Sequence, residues 1–368
     1  MSPSESLSAL VSEAGEVSRT YTDAVAHRLE DFLSSKSEEV AQITASATEI
    51  VNSIQDLTRG GKRLRPLFAY WGFLGAGGQP DDENIVRLGI ALELFQGAAL
   101  IHDDIIDNSD TRRGKPSVHK RFEAQHSSLG LTGNAAQYGV ASAILTGDLC
   151  LSLSEEVFAG IDSLTPGTRA IFNKMRLQVM AGQYLDVLEE SAGSAYDPAE
   201  AVKRARTIVR YKSAKYSTEN PFLLGGALAN ASDELLESYS AFALPLGEAF
   251  QLRDDVLGVF GDPSVTGKPA GDDLREGKRT ELIAHALALT VPEEREFIQT
   301  RLGAQNLSDV EVAKMSNILR ASGALRETES SISDLTTQSL AALERIDVAP
   351  LPLAGMHYLS DAVTKRSK

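Results

Sequence analysis

Apolar residues recur at helical spacing along most of the chain. The apolar stretch from Val86 to Ile101 is too long for an ordinary strand, and only Gly89 and Gly97 interrupt it, so we interpret it as a buried helix. Further helical patterns cover roughly 17–57, 64–74, 138–158, 168–190, 199–211, 221–229, 233–260, 281–289, 292–302 and 309–346. Continuous β-branched runs of strand length are nearly absent. The pattern predicts an all-α protein.

Short loops rich in Gly, Pro, Asp and Ser separate these patterns. No loop is long enough for an interdomain linker, and no internal repeat is visible. We therefore expect one domain over residues 1–368, with residues 1–52 as an N-terminal helical segment. Disorder would be least surprising in that segment and in the final residues, TKRSK.

Composition limits the binding partners and the cellular location that we expect for this protein. The net charge is −15, from 51 acidic and 36 basic residues, which argues against nucleic acid and anionic lipid because both would repel the chain. The N-terminus lacks the features of a secretory signal, and the longest uncharged stretch, 124–147, is too polar for a membrane span. We expect a cytoplasmic protein without integral membrane association, in which the single cysteine, Cys150, is a buried structural thiol.

The strongest chemical signal is the segment ALIHDDIIDNSDTRRG. Asp103 and Asp107 lie four residues apart, so a helix presents both carboxylates, with Asp104 beside them, on one side. Because only oxygen ligands are offered, the pair favours Mg²⁺ over zinc or copper. Arg112 and Arg113 follow closely and suit the oxygens of a metal-bridged phosphate. The alternative is an exposed acidic helix end with ordinary ion pairs.

A second acidic cluster, in FQLRDDVLGVFGDPSVTGKPAGDDLREGK, favours the metal hypothesis. Asp254 and Asp255 again end an apolar helical stretch, and Lys268 and Lys278 follow in a Gly-rich loop. Aspartate pairs on two distant helices can face each other across a bundle interior, which is a common way for helical proteins to build metal sites.

Basic residues gather at two further places. GGKRLRP sets Lys62, Arg63 and Arg65 at the start of an apolar helix, where an anion would be favoured. The alternative is a solvated basic turn. Lys212 and Lys215, in RYKSAKYS, form a third basic group that means little alone.

Together, GGKRLRP, DDIID with a following RRG, KSAK, and FQLRDD with a downstream GKPAGDDLREGK occur in the order seen in trans-isoprenyl diphosphate synthases. The chain resembles this polyprenyl synthetase family from about Gly60 to Lys278, and most of all its geranylgeranyl diphosphate synthases. The resemblance implies a bundle of antiparallel helices around a central cavity, the isoprenoid synthase fold. It also implies a homodimer that condenses an allylic isoprenyl diphosphate with isopentenyl diphosphate.

The resemblance also implies roles for individual residues. Asp103, Asp107, Asp254 and Asp255, with Asp104 in support, would bind Mg²⁺, with three ions once substrate is bound. Further ligands of the allylic diphosphate would be Arg112, Lys212, Ser213, Gln251, Lys268 and Lys278. Isopentenyl diphosphate would bind to Lys62, Arg65, Gln96 and Arg113. Gln183 and Asp186, in GQYLD, would have supporting roles at most.

One position departs from the family pattern. The second acidic motif often reads DDxxD, whereas this chain reads DDVLG, so Gly258 stands where the third aspartate would be. Asp262 and Asp272 lie downstream and could supply a carboxylate directly or through water.

Product length depends on the side chains below the first acidic motif. Ala99, Ala98 and Phe95 precede Asp103 by four, five and eight residues and project down the same side of the helix. Two small residues leave the upper tunnel open, so we expect growth beyond farnesyl diphosphate, to geranylgeranyl diphosphate, with Phe95 as a candidate floor. Alternatively, Phe95 is ordinary core, another helix sets the limit, and the product is shorter or longer.

Two other functions compete with this hypothesis. A class I terpene cyclase also ionises a prenyl diphosphate, but it needs no isopentenyl site, so GGKRLRP and the second arginine of RRG argue against it. A non-catalytic subunit of a heteromeric synthase would not need the intact aspartate pairs and lysines.

Overall fold

The computed structural model describes residues 3–192, 196–262 and 271–364, and the regular structure in these ranges is almost entirely helical. The helices are α1 (Pro3–Ala41), α2 (Thr48–Thr58), α3 (Leu64–Gly75), α4 (Glu83–Ile106), α5 (Val118–Ser128), α6 (Ala135–Ala159), α7 (Pro166–Ala192), α8 (Ala201–Ile208), α9 (Asn220–Leu228), α10 (Asp233–Phe260), α11 (Asp272–Glu276), α12 (Glu281–Leu289), α13 (Pro292–Arg301), α14 (Asp309–Ala321), α15 (Ala324–Leu343) and α16 (Pro350–Thr364). The all-α prediction is confirmed.

Shorter elements connect these helices. Single 3₁₀ turns cover Ala45–Ala47 and Pro198–Glu200, and a π-helical segment, Val209–Glu219, links α8 to α9. Strands β1 (Thr111–Arg112) and β2 (Lys115–Pro116) form an antiparallel hairpin after α4, in which Arg112 pairs with Lys115.

Helix α4 runs through the main core, where it packs against α3 and α6. Its buried positions include Leu88, Leu92 and Phe95. In the part of the chain that the structure describes, α4 is the one helix long and apolar enough to cross a membrane, and 67% of that stretch is buried inside the fold. This burial is typical of the core helix of a globular protein.

A second apolar cluster lies beyond the end of α10. Leu282 of α12, Ile298 of α13 and Met315 of α14 are buried in it, together with Val259 of α10. This cluster ties the segment that follows α10 to the bundle, and it thereby fixes the chain that carries Lys278.

Several helix boundaries differ from those expected. The predicted helix over 17–57 is two helices, because the chain turns after Ala41 and restarts at Thr48. The predicted helix over 309–346 is broken at Gly323, whose φ of +88° lies in the left-handed region that favours glycine. Helices α5, α11 and α16 lie outside the ranges that the apolar pattern predicts.

Candidate active site

One cavity of about 960 Å³ collects most of the side chains that the motifs singled out. Helices α3, α4, α7 and α10, the π-helical segment and the loop before α12 all contribute to its wall. From the sequence-based set it is lined by Lys62, Arg65, Gln96, Ala99, Asp103, Arg112, Arg113, Lys212, Ser213, Gln251, Asp254, Asp255 and Lys278. Residues that are far apart in the chain, such as Lys62 and Lys278, thus line the same cavity.

The end of α4 forms the first acidic wall, which we define as Asp103, a cavity-lining residue, and the neighbouring Asp107, which is partly buried and not itself part of the lining. Asp107 caps the helix, and its backbone N–H donates to Asp103 O at 2.8 Å. Burial, and then the negative charge of Asp103, raises the pKa of Asp107 to about 6. Oδ1 of Asp103 is buried and has no hydrogen-bond partner, although Lys212 Nζ lies 3.6 Å away. This wall therefore combines two neighbouring carboxylates with one buried carboxylate oxygen that accepts no hydrogen bond.

Asp104 has a different position from its two neighbours. It is 1% exposed, and its Oδ1 accepts a hydrogen bond from Arg112 Nε at 2.8 Å. Arg112 also reaches Asp103, with Nη2 3.4 Å from Oδ2. Asp104 thus anchors Arg112 at the cavity rim.

The second acidic wall consists of Asp254 and Asp255 near the end of α10. Gln251 lies one turn earlier, and its Nε2 donates to Asp255 Oδ1 at 2.8 Å. Burial, and then the charge of Asp273, raises the pKa of Asp255 to about 8. As in the first wall, a buried carboxylate lies next to like charges.

Lysine side chains lie between the two walls. Lys278 Nζ is 3.5 Å from Asp273 Oδ1 and 2.6 Å from Glu276 Oε2, and its charge also acts on Asp107. Lys212 forms an ion pair with Asp186 of α7 as well as with Asp103. The two acidic walls therefore face a common space.

The π-helical segment explains how Lys212 reaches this space. Its i→i+5 hydrogen bonds bring residues four and five positions apart onto one face, and Lys212, Ser213, Tyr216 and Ser217 all line the cavity. Helix α7 packs closely here because Gly182 has no side chain. A Cβ at Gly182 would lie 2.4 Å from Lys212 N.

A basic pocket, which we define as Lys62, Arg65 and Arg113, occupies another part of the cavity. The Arg65 guanidinium lies 4.3 Å above the Tyr216 ring, and Nη2 donates to Ser217 Oγ at 2.7 Å. Arg113 packs over Gly61, where an added Cβ would lie 3.2 Å from its Nη2.

Gln96 and Arg63 lie next to the basic pocket and form hydrogen bonds with other residues of the protein. Oε1 of Gln96 accepts a hydrogen bond from the Tyr216 hydroxyl at 2.6 Å. Arg63 points inward from a left-handed backbone conformation, φ +46°, and its Nη1 donates to Glu93 Oε2 at 2.8 Å. Of the basic residues in GGKRLRP, Arg63 therefore holds the turn, while Lys62 and Arg65 line the cavity.

Among the described residues, four members of the predicted site are not part of the cavity lining: Asp104, Asp107, Phe95 and Ala98. Lys268 lies outside the described residues. Phe95 and Ala98 are buried in the core, at 1% and 0% exposure, and Phe95 packs edge-on against Tyr216 with ring centroids 5.5 Å apart. Phe95 thus lies behind a cavity-lining ring, and its role in product length stays a prediction.

Comparison with known proteins identifies the family. The sequence profile described as polyprenyl synthetase matches residues 47–319. The chain belongs to this family. The match confirms the resemblance drawn from the motifs and makes the chain a trans-isoprenyl diphosphate synthase.

Individual relatives agree with the family assignment. A geranylgeranyl pyrophosphate synthase from Corynebacterium glutamicum, solved with isoprenyl diphosphate and magnesium, is 39% identical with a TM-score of 0.88, over 94% of this chain and 98% of that one. A short chain isoprenyl diphosphate synthase of Methanocaldococcus jannaschii is 32% identical over 72% of this chain and 74% of its own length. A (2E,6E)-farnesyl diphosphate synthase of Mycobacterium tuberculosis is 30% identical over 82% and 79%.

The polyprenyl synthetases depend on a divalent metal, and the donors here fit one. No group of three or more His, Cys, Asp or Glu within the described ranges is close enough to hold an ion by protein ligands alone. Magnesium, however, keeps several waters and is usually held by one or two carboxylates plus substrate phosphates. The Asp103 oxygen that accepts no hydrogen bond, and the raised pKa values of Asp107 and Asp255, fit such an ion on each wall.

Several cavity residues escaped the sequence interpretation. Gln183 and Asp186 line the cavity directly, although a supporting role had been expected, and GQYLD was the signal for them. Tyr216 and Ser217 directly follow KSAK in RYKSAKYS, and the π-helical geometry brings them into the wall. Asp273 lines the cavity beside Gly258, whereas Asp262 and Asp272 had been the candidates for the third carboxylate.

Proposed function

We propose that this synthase condenses an allylic isoprenyl diphosphate with isopentenyl diphosphate, head to tail and in the trans configuration, to give geranylgeranyl diphosphate. The observation that carries the proposal is that one cavity holds two acidic walls and a separate basic pocket. Such a cavity suits two diphosphates that bind in different ways. One would bind through metal ions on the acidic walls, and the other would bind directly to lysine and arginine side chains.

The allylic diphosphate would lie between the acidic walls. Asp103 and Asp107 on one side, and Asp254 and Asp255 on the other, would hold its magnesium ions, three with substrate bound. Further ligands would be Arg112, Lys212, Ser213, Gln251, Lys268 and Lys278. When bound, magnesium supplies positive charge that stabilises the leaving pyrophosphate.

The chain's own cations support the same step. As the allylic C–O bond breaks, its electron pair leaves with the pyrophosphate, and Lys212 and Arg112, which line the cavity, would stabilise that negative charge. Isopentenyl diphosphate, held by Lys62, Arg65, Gln96 and Arg113, would then donate its double-bond electrons to the allylic carbon. A proton leaves the resulting cation, and pyrophosphate is the base that accepts it.

The growing chain needs an apolar space from which water is excluded, because water would quench the cation. The apolar side chains that line the cavity include Ala99, Leu100, Val179, Phe250 and Leu257. Ala99 presents only a methyl group one turn below Asp103, which supports a product longer than farnesyl diphosphate. Relatives named for different product lengths make this the part of the proposal that most needs a test.

An assay of product length tests the proposal. Purified chain is incubated with labelled isopentenyl diphosphate, Mg²⁺ and, in turn, dimethylallyl, geranyl and farnesyl diphosphate, and the dephosphorylated products are sized. We expect geranylgeranyl diphosphate from each primer. Farnesyl diphosphate as the final product would reject the open-tunnel argument, whereas no condensation with any primer would favour the non-catalytic subunit.

We also propose that two copies associate through α6 and α7 and act in the cytoplasm. Leu145 is 63% exposed on α6, and Leu177 and Tyr184 are 72% and 65% exposed on α7. Large apolar side chains this exposed support an interface with a second copy. Analytical ultracentrifugation should give a dimer, and Leu177→Glu should shift it toward the monomer.

A further inference from the structure

Gly258 lies on the cavity side of α10. It follows Asp254 by four residues and Asp255 by three, so it shares their face of the helix, and it lines the same cavity. The space where its side chain would begin is already filled. A Cβ built at Gly258 would lie 1.9 Å from Asp273 Oδ2 and 2.4 Å from Asp273 Cγ. No side chain fits at position 258 unless Asp273 moves.

The backbone around Asp273 fixes its carboxylate in this place. Asp273 is the second residue of α11, which begins after Gly271 at φ +76°. Its carbonyl accepts hydrogen bonds from Gly277 N at 3.1 Å and Lys278 N at 3.0 Å, so the chain turns back on itself here. The residue is 9% exposed, and its side chain lies against Gly258 of α10 and lines the cavity.

Asp273 interacts with charged residues of both acidic walls. Lys278 Nζ lies 3.5 Å from Asp273 Oδ1, and the same lysine interacts with the charge of Asp107 on the first wall. After burial, the negative charge of Asp273 is the largest cause that raises the pKa of Asp255. Asp273 therefore belongs to the group of charges that surrounds the common space.

We propose that Asp273 supplies, from α11, the third carboxylate that α10 lacks at Gly258, and that it faces the divalent cations on the side of Asp254 and Asp255. The proposal rests on the proposed function. It also makes the two positions depend on each other, because the Asp273 carboxylate occupies the space that a side chain at position 258 would fill. Asp262 and Asp272 have no part in it.

Binding of inorganic pyrophosphate tests this without turnover. The full chain is titrated with pyrophosphate by calorimetry over a series of Mg²⁺ concentrations. Asp273→Asn keeps the shape of the side chain and removes its charge, and we expect the Mg²⁺ concentration for half-maximal binding to rise about 10-fold. Gly258→Ala should give a similar rise, since its methyl group displaces Asp273.

The double variant is the sharpest arm of the experiment. If both changes remove the same carboxylate, Gly258→Ala with Asp273→Asn should be no worse than the more severe single variant. Additive effects of the two changes would overturn the pairing. Circular dichroism and thermal unfolding verify that each variant is folded.

Two matched controls separate this effect from general damage. Asp272→Asn removes a charge from the neighbouring position of α11, and Gly160→Ala adds a methyl group that meets only atoms at 3.5 Å or more. Both should bind pyrophosphate with the wild-type Mg²⁺ dependence. An effect at Asp272 equal to that at Asp273 would overturn the inference.

The outcomes also separate the inference from the proposed function. A wild-type chain that binds pyrophosphate only with Mg²⁺, next to an Asp273→Asn variant with unchanged dependence, would overturn the inference and leave the function standing. A wild-type chain that never binds pyrophosphate would contradict the proposed function and the inference with it.

Discussion

Buried carboxylates in two regions of this molecule have pKa values shifted in opposite directions. Glu281, at the start of α12, is 0% exposed, and it accepts hydrogen bonds from Arg206 Nε at 2.9 Å and Ser331 Oγ at 2.7 Å. Burial acts to raise the pKa of Glu281, but hydrogen bonds from His285, Arg206 and Ser331 outweigh it and hold the pKa at about 2. Asp255, 7% exposed, has one amide donor and two aspartate neighbours, and its pKa rises to about 8.

The difference separates a structural carboxylate from one that awaits a ligand. The protein surrounds Glu281 with its own donors, so the ionised form is stable in the folded chain. It leaves Asp255 next to Asp254 and Asp273, and Asp107 next to Asp103, so like charges adjoin each of these two carboxylates. A carboxylate in this condition is a candidate site for the external cation and phosphate of the proposed function.

The largest effect is expected from the first acidic wall. Asp103→Asn should lower kcat by about 10³-fold, because a carboxylate that holds the leaving group's metal is lost. The melting temperature of the metal-free protein should stay the same or rise, since a like-charge contact is relieved. Steady-state assays with Mg²⁺ and thermal unfolding in EDTA measure the two quantities.

Asp110 offers a matched control for that variant. It follows Asp103 by one short loop, is 75% exposed, and pairs with Lys120 at 3.2 Å. Asp110→Asn should retain kcat within about twofold, as exposed ion pairs contribute little. Near-normal turnover of Asp103→Asn would remove Asp103 from the metal site.

Substitution of Glu281, the structural carboxylate, should lower stability and leave activity unchanged. Glu281→Gln should reduce the free energy of unfolding by about 2 kcal/mol, the typical cost of losing charge-assisted hydrogen bonds. The loss is smaller than for a fully buried pair because Arg206 is half exposed and stays hydrated. Urea denaturation measures it, and kcat per folded molecule should be unchanged. A stable variant with lost activity would reverse the assignment.

The pH dependence of stability should separate the two groups as well. The pKa values of Asp107 and Asp255 are raised in the folded state, so their contribution is fully present below the unfolded value of about 4 and is lost as pH rises through about 6 and 8. Glu281 behaves inversely, with a contribution that is lost only as pH falls from about 4 toward about 2.

Metal-free protein should therefore melt at lower temperature as pH rises from about 5.5 to 8.5, and Asp255→Asn should flatten that slope. Scanning fluorimetry in EDTA, followed by the same series with Mg²⁺ and pyrophosphate, measures it. If Asp255→Asn left the pH dependence of the melting temperature unchanged, other titratable groups would control stability between about pH 5.5 and 8.5.

The smallest effect concerns selectivity. Ala99→Phe narrows the cavity one turn below Asp103 and should shift the product from geranylgeranyl toward farnesyl diphosphate, while kcat for the first condensation changes by only a few-fold. Chromatography of the dephosphorylated products measures the shift. An unchanged product would move the length limit to another helix.

Much of this arrangement could be predicted from local pattern. The helices over Leu64–Gly75 and Asp233–Phe260 follow from apolar spacing with clear ends, and the aspartate pairs stand at the ends of apolar helices in the sequence itself. Both features depend on residues close together in the chain.

The remainder depends on tertiary contacts. The inward position of Arg63 requires Glu93, thirty residues away, and no local pattern distinguishes it from Lys62 or Arg65. The π-helical geometry that brings Tyr216 and Ser217 into the wall has no compositional signature in KSAK. Asp273, rather than Asp272, lines the cavity because α11 turns back against Gly258.

A crystal structure with Mn²⁺ and pyrophosphate, with anomalous scattering to locate the metal, would test the shared cavity most directly. We expect Mn²⁺ peaks bound to pyrophosphate oxygens, in contact with Asp103 or Asp107 on one side and with Asp254 or Asp255 on the other. Manganese confined to one acidic wall, or pyrophosphate bound outside the cavity, would contradict the proposed arrangement.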